Sequence, residues 1–154
     1  DIKEAEKCVG ASVALWDNYP VNDGKKICSY LFTAPFKERK TLSSLNDFIH
    51  AVNPMCEGLL STLPLSSLPL IYSHASQDEI TKAWDNEAKL LFGEKFYKFK
   101  PYLEKLQTLG LKAIDKNLLQ ELKTLCLETN TPATFELLDF LNGQYAFDPQ
   151  CLTS

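Results

Sequence analysis

The chain holds two histidines and five cysteines, whose side chains can carry protons or act as nucleophiles near neutral pH. His74 lies in YSHASQDE, beside serine and carboxylate side chains. A Ser-His-acid triad is defined by geometry across several elements, and a helix cap accounts for these neighbours. Cys56 with His50 or His74 could form a thiolate-imidazolium pair, but no flanking motif supports one. The sequence therefore predicts no catalytic residue and no enzyme.

Metal and phosphate sites need patterns that this sequence lacks. Its cysteines form no C-x-x-C pair, and neither an H-E-x-x-H sequence nor an EF-hand loop occurs. The six glycines are isolated, so no glycine-rich loop is available to hold a phosphate. We expect neither a metal nor a cofactor.

Lysines alternate with aromatic residues in the stretch KFYKFKPYLEK at 95–105. Stacking aromatics with basic side chains suit single-stranded nucleic acid or a lipid surface. Alternatively, the aromatics enter the core while the lysine stems lie along the apolar surface. The net charge of −4 favours the second interpretation and argues against nucleic acid as a partner. From this stretch we predict three partner-binding residues, Lys98, Lys100 and Tyr102.

The segment LLSTLPLSSLPLIY at 59–72 is rich in leucine, carries no charge and contains Pro64 and Pro69. Because proline restricts its own backbone and that of its predecessor, an extended or polyproline-like course is expected. Its leucines either fill the core as a crossover connection or line a binding surface. The predicted ligand- or partner-binding residues here are Leu63, Leu65, Leu68, Leu70 and Tyr72.

Helical spacing of apolar residues recurs along the chain, with N-cap residues before several of the runs. The predicted helices span 2–17, 45–52, 77–92, 101–109, 116–128 and 132–141. Residues 25–33 suit a strand equally well, but no partner strand is evident, so a short helix is expected there. We predict a single all-α domain over 1–154. It would be a bundle or orthogonal array of six to seven short helices with a long Pro/Leu-rich connection at about 59–75.

The five cysteines are more than a typical cytosolic chain of 154 residues carries. They favour an oxidising compartment and two disulfides. By proximity in sequence we predict Cys8–Cys28 and Cys126–Cys151, with Cys56 left over. The alternative is that all five are reduced and act as small apolar side chains.

Other features bear on processing and location. The chain begins at Asp1 and its only methionine is Met55, so a processed product or an excised segment is expected. No run of about eighteen apolar residues occurs, so no transmembrane segment is expected.

The amino-acid sequence is compatible with two functions. The first is a small secreted helical protein that binds a protein partner or an apolar ligand through the Leu-rich connection and adjacent helices. The second is an intracellular adaptor or effector domain with reduced cysteines. Neither is an enzyme; the first predicts an extracellular location and the second a cytoplasmic one. No pattern predicts the oligomeric state.

Overall fold

The structure is a computed structural model that describes residues 2–37, 39 and 49–148. Within that part of the chain, seven helices accompany a two-stranded parallel sheet. The strands are β1 (Ala14–Asp17) and β2 (Ile49–Val52). The helices are α1 (Ile2–Val9), α2 (Thr62–Leu65), α3 (Leu68–Tyr72), α4 (Gln77–Phe92), α5 (Phe96–Thr108), α6 (Lys116–Thr129) and α7 (Pro132–Leu141). Short 3-10 turns lie at Gly93–Lys95 and Leu111–Ala113.

The parallel sheet shows that the predicted all-α fold is wrong. In its register Ala14 pairs with Ile49 and Asp17 with Val52. The helix predicted over 2–17 instead ends at Val9, and the next residue, Gly10, has a φ of +68° that glycine reaches most easily. The strands are four residues long, and periodicity cannot distinguish a strand that short from a helical turn. These segments are strands because β1 and β2, more than thirty residues apart in sequence, form backbone hydrogen bonds with each other.

Two further predicted helices are also corrected. The helix predicted over 45–52 is replaced by β2 from residue 49, and residues 45–48 of that prediction lie outside the described residues. Residues 25–33 form turns and irregular chain instead of a helix. Their later backbone groups bond to side chains elsewhere: Tyr30 O accepts from Asn22 Nδ2 at 3.0 Å, and Phe32 N–H lies 3.1 Å from Met55 Sδ.

The four long helices of the second half follow the sequence signals. The capping box of α4 is present, since Ser76 Oγ accepts from the N–H of Glu79 and the carboxylate of Glu79 accepts from the N–H of Ser76. Asp115 caps α6. Thr131 caps α7, and Pro132 takes its first helical position. Helix α5 begins at Phe96, earlier than the prediction at residue 101.

The Pro/Leu-rich connection is helical where an extended course was predicted. It forms α2 and α3, and Pro69 lies in the first turn of α3, where no backbone N–H is required. Leu63 is fully buried and Leu68 is 8% exposed. The segment therefore crosses the molecule as part of the core.

The core consists of two apolar clusters. The larger one lies among α2 and α4–α7, where the rings of Phe92 and Phe99 stack with centroids 4.4 Å apart. The smaller one joins Phe36, Leu68 and Ile71 to Ile80 of α4. Because Val52 packs on this second cluster, it covers one face of the sheet.

The described cysteines are not paired, so the predicted disulfides are not formed. Cys8, Cys28, Cys56 and Cys126 are all free thiols, and Cys126 is buried inside α6. Cys151 lies outside the described residues. The predicted extracellular location was based on these disulfides, and the free thiols remove that basis. The location itself stays a prediction.

In the part of the chain that the structure describes, every helix is too short or too polar to cross a lipid bilayer, as predicted.

Candidate functional site

Two asparagines lie side by side where the parallel strands end. Asn18 follows β1 and Asn53 follows β2. The N–H of Asn53 donates to the backbone oxygen of Asp17 at 2.9 Å, so the register continues past both strands. In sheets of parallel strands, ligands bind outside the carboxyl ends of the strands. This edge is therefore the candidate site, and the loop 18–23 that carries the exposed Asp23 borders it.

One face of the sheet has no cover among the described residues. Trp16 is 65% exposed and Ile49 is 68% exposed, although both belong to strands. Side chains alternate along a strand, so Trp16 and Asn18 share this face. The indole N–H of Trp16 donates to Asn18 Oδ1 at 2.8 Å. Since parallel sheets are normally covered on both faces, this open face is the surface most in need of a partner or ligand.

The opposite face carries a charged network. Asp17 accepts from Arg39 Nε at 2.8 Å and from Arg39 Nη2 at 3.1 Å, and His50 Nε2 lies 3.2 Å from its Oδ2. The other ring nitrogen of His50 contacts the hydroxyl of Tyr72. Through this network Asp17 of β1 and His50 of β2 contact Arg39 and Tyr72 of α3 on the covered face of the sheet.

The network also decides the charge of Asp17. Burial acts to raise the pKa of the Asp17 carboxyl, but the hydrogen bonds from Arg39 and from the N–H of Tyr19 outweigh it, and the pKa is lowered. Asp17 is thus held as a carboxylate and is suited to structure, not to proton donation.

The residues predicted to bind a partner fall into two separate places. Leu63 and Leu68 are buried, so neither is available to a ligand in this structure. Leu65, Leu70 and Tyr72 are half-buried and pack on the smaller cluster. Tyr72 also contacts His50 of β2, on the covered face of the sheet.

The second predicted group lies along α5. Lys98 is exposed, whereas Lys100 Nζ lies 3.3 Å from Asp85 Oδ1 and 5.2 Å from the ring centre of Trp84. The Tyr102 hydroxyl donates to Glu121 at 3.3 Å. These contacts join α5 to α4 and α6, and the structure does not bring this group to the carboxyl edge of the sheet.

Comparison with known protein families shows to which family the chain belongs. The family model of beta-N-acetylglucosaminidase (NAGidase) matches residues 1–108, well over half of the sequence. The chain belongs to the beta-N-acetylglucosaminidase family. The matched range contains both strands, the loop 18–23 and Asn53.

A solved structure resembles this beta-N-acetylglucosaminidase family member over most of its length. It is a mutant of the Thermobaculum terrenum O-GlcNAc hydrolase, with a TM-score of 0.57 and 24% identity. The match covers 94% of this chain and 37% of that chain, so the sequence spans a little over a third of the hydrolase. At this identity the likeness shows the fold, an α/β type in agreement with the parallel sheet. No curated protein matches the chain.

Family membership corrects the predicted function. A non-enzymatic helical binding protein and a non-enzymatic adaptor were expected, and both predictions are wrong, because the family is one of glycoside hydrolases. The signal that was missed is an asparagine directly after each short strand, in LWDN and HAVN. Asn18 directly follows the helix predicted over 2–17 and Asn53 directly follows the helix predicted over 45–52, so their common edge was not recognised.

Proposed function

We propose that this chain supplies one side of the sugar-binding site of a beta-N-acetylglucosaminidase, an enzyme that hydrolyses β-linked N-acetylglucosamine. The observation that carries the proposal is the open face of the sheet, which presents Trp16 beside Asn18 and Asn53 at the carboxyl ends of parallel strands. Family membership supports the reaction class.

The residue types at this edge suit a carbohydrate. The indole of Trp16 offers a rigid apolar face that fits the C–H surface of a sugar ring, while its N–H is bonded to Asn18. An asparagine amide offers two donors and an acceptor, so it matches vicinal hydroxyls or an acetamido group. Asp23, exposed in the loop after β1, adds acceptors for hydroxyl protons. These side chains would orient the sugar, while apolar neighbours exclude water.

Catalysis of glycoside hydrolysis usually requires a pair of carboxyl groups flanking the bond that breaks. Asp17 does not suit that role, because it faces the covered side and is held as a carboxylate by Arg39. We therefore assign the acid and base groups to other strands of the same sheet. The chain covers 37% of the related hydrolase, which supports additional strands.

The proposal is tested by measuring the hydrolysis of p-nitrophenyl N-acetyl-β-glucosaminide. The assay uses the full-length protein, which includes the additional strands that carry the acid and base groups. Asn18→Ala and Asn53→Ala should each lower kcat/KM by about 10- to 100-fold, as expected for loss of one or two hydrogen bonds to substrate. The matched control is Asn86→Ala, since Asn86 is exposed on α4 away from the strands. An intact wild-type protein without activity on this substrate, or variants with wild-type kcat/KM, would overturn the proposal.

A further inference from the structure

A buried side-chain pair joins the two loops that follow the strands. Asn22, in the loop after β1, donates from Nδ2 to Glu57 Oε2 at 2.7 Å. Its Oδ1 accepts from the N–H of Cys56 at 2.9 Å, and Nδ2 also donates to Tyr30 O at 3.0 Å. Both donors of this amide and one of the two acceptor positions of its oxygen are therefore used. Two of its three bonds go to the loop after β2.

Glu57 is an unusual residue for this position. It is fully buried, and its Oε1 has no hydrogen-bond partner among the described residues. Burial raises the pKa of Glu57, the bond from Asn22 lowers it, and the nearby carboxylate of Glu136 on α7 raises it further. Burying a carboxyl without full pairing costs free energy, so the residue is not there for stability alone.

The backbone of residue 57 does not depend on this side chain. Its carbonyl accepts from the N–H of Ser61 at 3.0 Å and from Ser61 Oγ at 2.8 Å. The chain that follows is held separately, because Glu136 accepts from the N–H groups of Leu59 and Leu60 at 3.0 and 2.8 Å. What the Glu57 side chain adds is its bond to Asn22.

We propose that Glu57, acting through Asn22, is a positioning residue that sets the distance between the loop 18–23 and Asn53 across the sugar-binding edge. This inference rests on the function proposed above. Asn22 immediately precedes Asp23 in the same loop as Asn18, so a shift of its amide moves both sugar-facing side chains. The other end of the loop is held by the Tyr19 hydroxyl, which donates to Ala34 O at 2.6 Å.

The test measures KM and kcat in the intact protein with p-nitrophenyl N-acetyl-β-glucosaminide. Glu57→Ala should raise KM about tenfold and change kcat less than threefold, because binding contacts are misplaced while the acid and base groups lie elsewhere. Glu57→Gln keeps an oxygen that can accept from Asn22, so it should restore KM to within twofold of wild type. Calorimetric titration with free N-acetylglucosamine should show the same order of affinities.

Glu136→Ala is the matched control, since it removes a neighbouring carboxylate that holds the backbone at 59–60 but not the loop 18–23. It should lower Tm without raising KM. A purely structural Glu57 would make Glu57→Ala resemble Glu136→Ala, with a lower Tm and wild-type KM, and that result overturns the inference.

A further variant covers the case in which Glu57→Ala does not fold. Glu57→Asp keeps the carboxyl but withdraws it from Asn22 by one methylene, so it must also raise KM, and a wild-type KM overturns the inference. Failure of the proposed function looks different: the wild-type protein would not hydrolyse the substrate, or Asn18→Ala would leave kcat/KM unchanged.

Discussion

Arg39 holds the carboxylate of Asp17 through two hydrogen bonds, Nε to Oδ2 at 2.8 Å and Nη2 to Oδ1 at 3.1 Å. Asp17 is the last residue of β1, and His50 of β2 approaches the same carboxylate from the neighbouring strand. Arg39 and His50 thus hold the carboxyl end of β1 on its covered face, next to the candidate site. This relationship leads to a prediction about acid stability.

Asp17→Asn should lower the free energy of unfolding at pH 7 by about 1–3 kcal/mol, because a charge-assisted pair is lost. The folded-state pKa of Asp17 is below its ordinary value of 3.8, so its stabilising effect is present above 3.8 and lost as the pH falls further. The difference between wild type and Asp17→Asn should therefore shrink from pH 5 towards pH 2. Urea unfolding followed by circular dichroism measures it. A difference that stays constant over this range would contradict the assignment.

Glu57 predicts the opposite pH dependence. Its folded-state pKa is raised by burial above the ordinary 4.5, so no penalty exists below 4.5 and stability is lost as the pH rises towards the folded-state value. The groups facing it are Asn22, Cys56, Glu136 and Tyr145.

Glu57→Gln cannot ionise, so its Tm relative to wild type should increase between pH 4.5 and pH 7.5. Differential scanning calorimetry at several pH values tests this, with Glu136→Gln as a matched control that lies on α7. A Tm difference independent of pH would show that Glu57 has an ordinary pKa.

Leu63 tests whether the Pro/Leu-rich connection is part of the core. Leu63→Ala should destabilise the protein by about 2–5 kcal/mol, because a fully buried leucine leaves a cavity among packed helices. Leu90→Ala on α4 is the control, since Leu90 is 80% exposed and its truncation should change stability by less than about 0.5 kcal/mol. Equal effects of the two substitutions would show that the connection is not packed as described.

Thiol labelling tests the state of the cysteines. Cys8 is exposed and free, so it should react readily with iodoacetamide in the native protein. Burial raises the pKa of Cys126 to about 12, and the thiolate is the reactive form, so Cys126 should react only after denaturation. Mass spectrometry of peptides reads out both positions. A disulfide-linked peptide containing Cys8 and Cys28 would contradict the structure.

The second half of the fold was predictable because its signals are local. Ser76 and Glu79 cap α4, Asp115 caps α6, and Thr131 and Thr134 cap α7. Each cap uses groups within three residues in sequence. Leucines at helical spacing then identify the buried stripe, as at Leu122 of α6. Burial of the leucines at 63 and 68 was likewise one of the two interpretations that the sequence left open.

The candidate site was not predictable in the same way. Strands β1 and β2 become strands only by pairing with each other, and the residues between them leave no local trace of that pairing. Without the sheet, Asn18 and Asn53 have no reason to be considered together. The bond from Asn22 to Glu57 is likewise invisible in sequence, since 35 positions separate its partners.

The amino-acid sequence alone determined where α4, α6 and α7 begin, because helix caps and apolar spacing act within one or two turns of chain. Tertiary structure alone decided the parallel sheet, the course of the Pro/Leu-rich connection and the edge at which Asn18 meets Asn53. The physical reason is that a strand satisfies its backbone groups only through a partner distant in sequence, and a site at the ends of such strands exists only once that partner is in place.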